Sequence, residues 1–148
     1  MTVEVSMKKA SWIVLTLVGA AITLLSLVSA YHAYTLDDDY AIGRMRVSKV
    51  AAGDDAVLSA LRGIRGTSAA YGVGFGVLML AIVLGPYRRG EVWAWKALLV
   101  AALAQCVIVL LRIPLLDTTL GTSATVTQTV PLIVGLLLDV GRLKSDAR

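Results

Sequence analysis

The sequence predicts an all-α fold, an integral membrane four-helix bundle with both termini in the cytoplasm. Two observations carry that expectation: the length of the uncharged runs and the positive charge at their ends. No Asp, Glu, Lys, Arg or His interrupts Ala10 to Tyr31, Gly66 to Tyr87 or Thr118 to Leu138, and only Lys96 interrupts Val92 to Leu111. At ~1.5 Å of rise per residue, ~20 residues cross a hydrocarbon layer ~30 Å thick. Spans are expected over about 10–31, 66–87, 92–112 and 122–141, with an extracytoplasmic loop over about 32–62, all in one membrane domain of 148 residues.

Composition agrees, because 57% hydrophobic residues exceed what a soluble chain of this size needs for one core. The net charge of +4 does not point to nucleic acid, since the positive residues sit at helix ends and form no basic face. They set the topology instead. Lys8 and Lys9 precede the first span, Arg88 and Arg89 separate the second from the third, and Arg142, Lys144 and Arg148 follow the fourth. Those segments are expected inside. The connection from His32 to Arg65 mixes Arg44, Arg46 and Lys49 with Asp37, Asp38, Asp39, Asp54 and Asp55, and it is expected outside with the loop at Asp117.

The first span has a rival reading. From Met7, two lysines, an apolar run and Val28-Ser29-Ala30 resemble a cleavable secretory leader. The run from Trp12 to Val28 is longer than the ~7–15 residue core of such leaders, so a retained span is expected.

In the second span Gly66, Ala69, Gly72 and Gly76 fall on one helical face. Small residues let a neighbouring helix approach where lipid gives no hydrophobic drive, either inside the bundle or between copies. Arg62 and Arg65 extend this face to the interface, where they either snorkel or clamp an anion or lipid headgroup.

The third span places Ala97, Ala101, Gln105, Ile108 and Arg112 on one face. Gln105 needs a partner at mid-membrane, either as glue between helices or as a ligand contact. Pro114 ends that helix and leaves Arg112 at the rim, with Asp117 as its nearest counter-ion in sequence. The fourth span is the weakest. Thr118 to Thr129 is rich in Thr and Ser, Gln128 lies within it, and Pro131 either opens the helix or kinks it. Asp139 and Arg142 have the spacing of an intrahelical ion pair.

The acidic loop carries Tyr31, His32 and Tyr34 at its start, an interfacial cluster, and is long enough for a hairpin or an amphipathic segment. One histidine makes no typical zinc site, and the aspartates lack the spacing of a calcium loop, so no metal is expected. The lone Cys106 supports neither a thiol relay nor an iron–sulfur cluster. There is no phosphate-binding glycine loop, nucleophile elbow or metalloprotease motif, and therefore no catalytic residue is assigned and an enzyme is not expected.

The stretch Arg62 to Lys96, RGIRGTSAAYGVGFGVLMLAIVLGPYRRGEVWAWK, resembles the second and third helices of DoxX-like small four-helix membrane proteins of bacteria and archaea. The shared features are a glycine-rich helix, a short basic turn and a Trp-containing helix start, and they cover about a quarter of the chain. The resemblance implies a compact four-helix bundle in a prokaryotic inner or plasma membrane, with some relatives serving as small subunits of quinone-linked oxidoreductases. It carries over no catalytic residue.

Three functions follow as expectations. The first is a non-catalytic accessory or structural subunit, docking on other membrane subunits or on itself through Gly66, Ala69, Gly72 and Gly76. The second is a binder of lipid, quinone or another hydrophobic ligand, with His32, Tyr71, Gln105 and Arg112 as its polar groups. The third is a small oligomeric transporter or channel. The bilayer is the common partner, and bound lipid or quinone is the only cofactor class expected.

Overall fold

The computed structural model describes residues 2–35, 39–42, 45–116 and 122–141. Helix α1 covers Thr2–Tyr34, α2 Val47–Ala51, α3 Asp55–Ile82, α4 Val92–Leu110, α5 Arg112–Leu116 and α6 Thr122–Leu137. Strands β1 (Ala41–Ile42) and β2 (Met45–Arg46) pair antiparallel, with Ala41 opposite Arg46. Met7–Tyr34, Asp55–Tyr87 and Val92–Leu115 are long and apolar enough to cross a membrane, which makes this a membrane-associated protein.

The uncharged runs locate these helices but underestimate two of them. α1 begins before Lys8 and Lys9, and α3 begins at Asp55, inside the stretch expected as loop. The reason is local. Asp54 Oδ1 accepts the N–H groups of Ala56 at 2.8 Å and Val57 at 3.2 Å, satisfying donors that a new helix leaves open. Asp55 in the first turn favours the positive end of the helix dipole. Arginines then ride in the helix without stopping it. The remainder of the expected loop holds the two strands and α2, which ends at Ala52 (φ +49°) and Gly53 (φ +86°).

Two prolines set the other helix ends. Proline has no N–H to donate and its ring crowds the carbonyl four residues earlier. Pro86 lies four residues after Ile82, where α3 stops, and Pro114 lies four residues after Leu110, where α4 stops. After Ile82 the chain widens into a π-helical turn over Val83–Tyr87, in which Arg88 N–H bonds Val83 O at 3.2 Å. After Leu110 the chain passes through Leu111, which keeps helical angles (φ −60°, ψ −20°), directly into α5, and Leu115 N–H bonds Leu111 O at 3.1 Å. Pro131 is accommodated inside α6.

The fourth apolar segment is short. α6 has 16 residues, ~24 Å of rise against a layer of ~30 Å, and residues 138–141 follow as turns.

Contacts gather the chain into two compact units: Met1–Ala20 with Val77–Arg148, and Ala21–Gly76. α1 and α3 contribute to both. In the first unit, Ser11, Leu15 and Val18 of α1 are buried, with Met79, Val83 and Tyr87 around the end of α3. Ala94, Trp95, Leu98 and Ala102 of α4 and Leu132 and Leu136 of α6 complete that core, and α4 packs on α6. Their three- and four-residue spacing is the stripe a helix turns toward its neighbours. In the second unit, Ile22, Ala33, Val47, Ala51 and Ala69 are buried.

Candidate functional site

Two polar arrangements stand out, one in each unit. The first lies in the core of the Met1–Ala20 and Val77–Arg148 unit. Ser11 and Tyr87, both 0% exposed, are joined through their hydroxyls at 2.6 Å, and Ser11 Oγ donates to Gly135 O at 2.7 Å. Ser11 has one hydrogen, so with that donation the Tyr87 hydroxyl is the donor in the shared bond. Trp95 Nε1 donates to Leu136 O at 3.0 Å, and Asp139, in the turn after α6, is 2% exposed. These bonds tie α1, the π turn and α4 to the backbone of α6 near Gly135. At Gly135 a Cβ would lie 2.8 Å from Leu15 Cδ2, so glycine is what allows α1 this close. At the entrance to this unit Arg88 stacks over Trp12 at 5.1 Å, and Glu91 accepts Arg89 Nε at 2.8 Å and Trp93 Nε1 at 2.6 Å. Those two donors hold the Glu91 carboxyl below its usual range, the Arg89 bond first.

The second arrangement is a cleft of about 430 Å³ in the Ala21–Gly76 unit. Its walls are Ala33 and Tyr34 at the end of α1 and Asp55, Leu58, Ser59, Arg62 and Gly63 on the first turns of α3. Arg62 is half-buried and its Nε is sealed from solvent. Arg65 is engaged beside it: Nε donates to Ser29 Oγ at 3.3 Å, and the guanidinium lies 4.0 Å above the Tyr40 ring. Tyr40 in turn donates to Leu61 O at 3.0 Å. Asp39 accepts both the backbone N–H of Ser48 at 2.9 Å and its hydroxyl at 2.8 Å, and these bonds, more than the charges of Arg46 and Arg62, hold its carboxyl below the usual range.

The remaining sequence-derived residues are dispersed. On the small-residue face Gly66, Ala69 and Gly76 are buried and Gly72 is half-buried. A Cβ on Gly66 would lie 2.8 Å from Tyr34 Oη, and one on Gly72 would press on Ser26, so this part of the face is occupied by α1 of the same chain. His32 is half-buried with its ring edge-on to Tyr31 at 5.8 Å, whereas Tyr71 is 76% exposed. Both belong to the second unit, and Gln105 and Arg112 to the first. Gln105 is half-buried on α4 and Arg112 is exposed at the start of α5, and because Leu111 between them keeps helical angles (φ −60°, ψ −20°) the two stay seven residues apart along one helical path. Asp37, Asp38, Arg44, Asp117 and Arg142 lie outside the described residues. Among the described residues, no group of three or more His, Cys, Asp or Glu gathers as a metal ion requires.

Sequence reasoning missed Ser11, Tyr87, Asp55 and Ser59. A tyrosine beside two arginines at a span end reads as an interfacial anchor, and a serine in an apolar run leaves no mark on hydropathy. Asp55, Ser59 and Arg62 do carry a signal, since their i, i+4, i+7 spacing is one helical face, but it exists only once α3 is known to start this early. No family model, curated protein or solved structure matches the chain.

Proposed function

We propose that this protein is an integral membrane four-helix bundle with both termini in the cytoplasm, acting without catalysis as a structural or accessory component of a larger membrane assembly or as a homo-oligomer. The observation that carries the reading is the outward face of α4. Only 11% of the most apolar stretch within Val92–Leu115 is buried within the chain, and Val100, Leu103, Val107 and Leu110 repeat every three or four residues with 49–65% of each exposed. In a bilayer such a stripe is covered either by lipid tails or by the interdigitating side chains of a neighbouring helix, and the assembly reading takes the second. The face through Gly66 and Gly72 faces α1, so association uses surface that the chain leaves open. Positive charge at Lys8, Lys9, Arg88 and Arg89 supports the orientation.

Native mass spectrometry of protein extracted gently from its own membrane tests the reading. Stoichiometric foreign subunits, or a defined number of copies weakened by Leu103→Ala with Val107→Ala, are expected. A monomer under every mild extraction overturns it. The cleft on α3 favours a second reading, retention of a lipid, quinone or other hydrophobic ligand.

A further inference from the structure

The cleft at the start of α3 presents its charged groups in an order that fits one chemical class of ligand, and we propose that it holds the headgroup of a phospholipid bearing a primary ammonium, of the phosphoethanolamine type. The inference rests on the ligand-binding reading and names its substrate class. Asp55, Ser59 and Arg62 share one helical face and line the cleft together. Asp55 and Arg62 are two turns apart, ~10 Å along the axis. Arg62 lines the cleft from the same helix, and its charge also acts on Asp39. A ligand entering along α3 therefore meets a carboxylate, then a hydroxyl, then a guanidinium.

Depth fixes the direction. The charge-free run begins at Gly66, one turn beyond Arg62, so the guanidinium stands at the hydrocarbon boundary and Asp55 stands farther into the water. A glycerophospholipid has the same order, with acyl chains innermost, phosphate at the boundary and amine outermost. Arg62 matches the phosphate, with a planar donor set suited to its oxygens. Asp55 and Ser59 match an ammonium that carries N–H donors. A quaternary ammonium has no such donors, and an anionic headgroup without an amine places no cation beside Asp55. Ala33 and Leu58 supply apolar wall, and Gly63 leaves open space where a side chain would stand. Leu27, Val28 and Tyr31 on the same half of α1 are 49–68% exposed, apolar surface for the acyl chains.

The test is a titration of the full-length, delipidated protein in mild detergent with dimyristoyl phosphatidylethanolamine, phosphatidylcholine or phosphatidylglycerol, counting bound lipid by native mass spectrometry. One phosphatidylethanolamine is expected, at least tenfold preferred over phosphatidylcholine. Asp55→Asn should abolish that preference while leaving phosphatidylglycerol binding unchanged. Arg62→Gln should weaken all three at least tenfold, and Ser59→Leu, which fills the cleft and keeps both charges, should do the same with an unchanged circular dichroism spectrum. Equal retention of the three lipids, or a preference that survives Asp55→Asn, overturns the proposal. Water-soluble phosphoethanolamine binding as tightly as the lipid assigns the site to a free metabolite and overturns the lipid assignment. A retained quinone in place of phospholipid overturns the headgroup and leaves the ligand-binding reading standing; protein that retains no amphiphile of any kind overturns both.

Discussion

Replacing Gly135 by alanine should destabilise the Met1–Ala20 and Val77–Arg148 unit, although the same change stabilises most helices. Two opposing effects set the sign. Alanine restricts the unfolded chain and suits a helix interior, a gain of about 0.5–1 kcal/mol. Against it, the new Cβ would sit 2.8 Å from Leu15 Cδ2 and 2.9 Å from Leu15 Cγ, and Leu15 is fully buried with no free direction to move. Forcing volume into such a site costs about 1–3 kcal/mol. The carbonyl of Gly135 also accepts the 2.7 Å bond from Ser11, so any retreat of α6 stretches that bond. A net loss of about 1 kcal/mol is expected, roughly a fivefold fall in the folded-to-unfolded ratio. The control is Gly74→Ala, where nothing lies within 4 Å of the added carbon and a gain of about 0.5 kcal/mol is expected. The assay is denaturation of the micelle-embedded protein by SDS, followed by tryptophan emission, since Trp95 sits buried in the affected core. Combining Gly135→Ala with Leu15→Ala should recover at least about 0.5 kcal/mol beyond additivity, because the truncated leucine makes room. A Gly135→Ala protein as stable as the wild type, or strictly additive mutants, would refute the argument from close approach.

Three further outcomes are expected. Ser11→Ala should cost about 1–3 kcal/mol in the same assay, and the double mutant with Tyr87→Phe should cost less than the sum of the singles, because removing both hydroxyls leaves fewer buried polar atoms stranded. Glu91, whose folded-state pKa is lowered by Arg89 and Trp93, contributes stability that is present above its ordinary value of 4.5 and is lost as pH falls through the lowered folded value; tryptophan emission should change in that acid range in the wild type and not in Glu91→Gln. In a Cys106→Ala background, a cysteine at Gly53 should react with a membrane-impermeant maleimide in intact cells, while one at Gly90 should react only after permeabilisation; the reverse pattern overturns the orientation inferred from Lys8, Lys9, Arg88 and Arg89.

How much of this was legible in the sequence depends on what each residue has to do. The three long helices follow from uncharged runs, since in lipid the backbone has to satisfy itself within the segment. The start of α3 does not, because hydropathy treats Asp55, Arg62 and Arg65 as the end of a span whereas the helix needs only a cap, which Asp54 provides. The close-packed face through Gly66 and Gly72 is visible as a pattern, but small residues advertise an approach without naming the neighbour; Tyr34 and Ser26 of α1 are the answer. Gln105 and Arg112 keep the seven-residue helical spacing legible in the sequence, because Pro114 deletes one bond at Leu110 while Leu111 holds helical angles. The cleft was half legible. Arg62 was marked as a headgroup contact, while Asp55 and Ser59 were hidden by the same misplaced helix start.

The π turn after Ile82 has an effect beyond its own five residues. A π-helical ring closes around one more residue than an α-helical ring, so the chain leaves it out of phase with the helix that entered. One residue of phase is about 100° of rotation. Tyr87 is the last residue of that turn, so the added phase enters the bearing from which its hydroxyl meets Ser11. Pro86 lies inside that turn, and its missing N–H favours the wider ring through which Tyr87 is reached. The angular setting of a buried side chain thus depends in part on the residue before it.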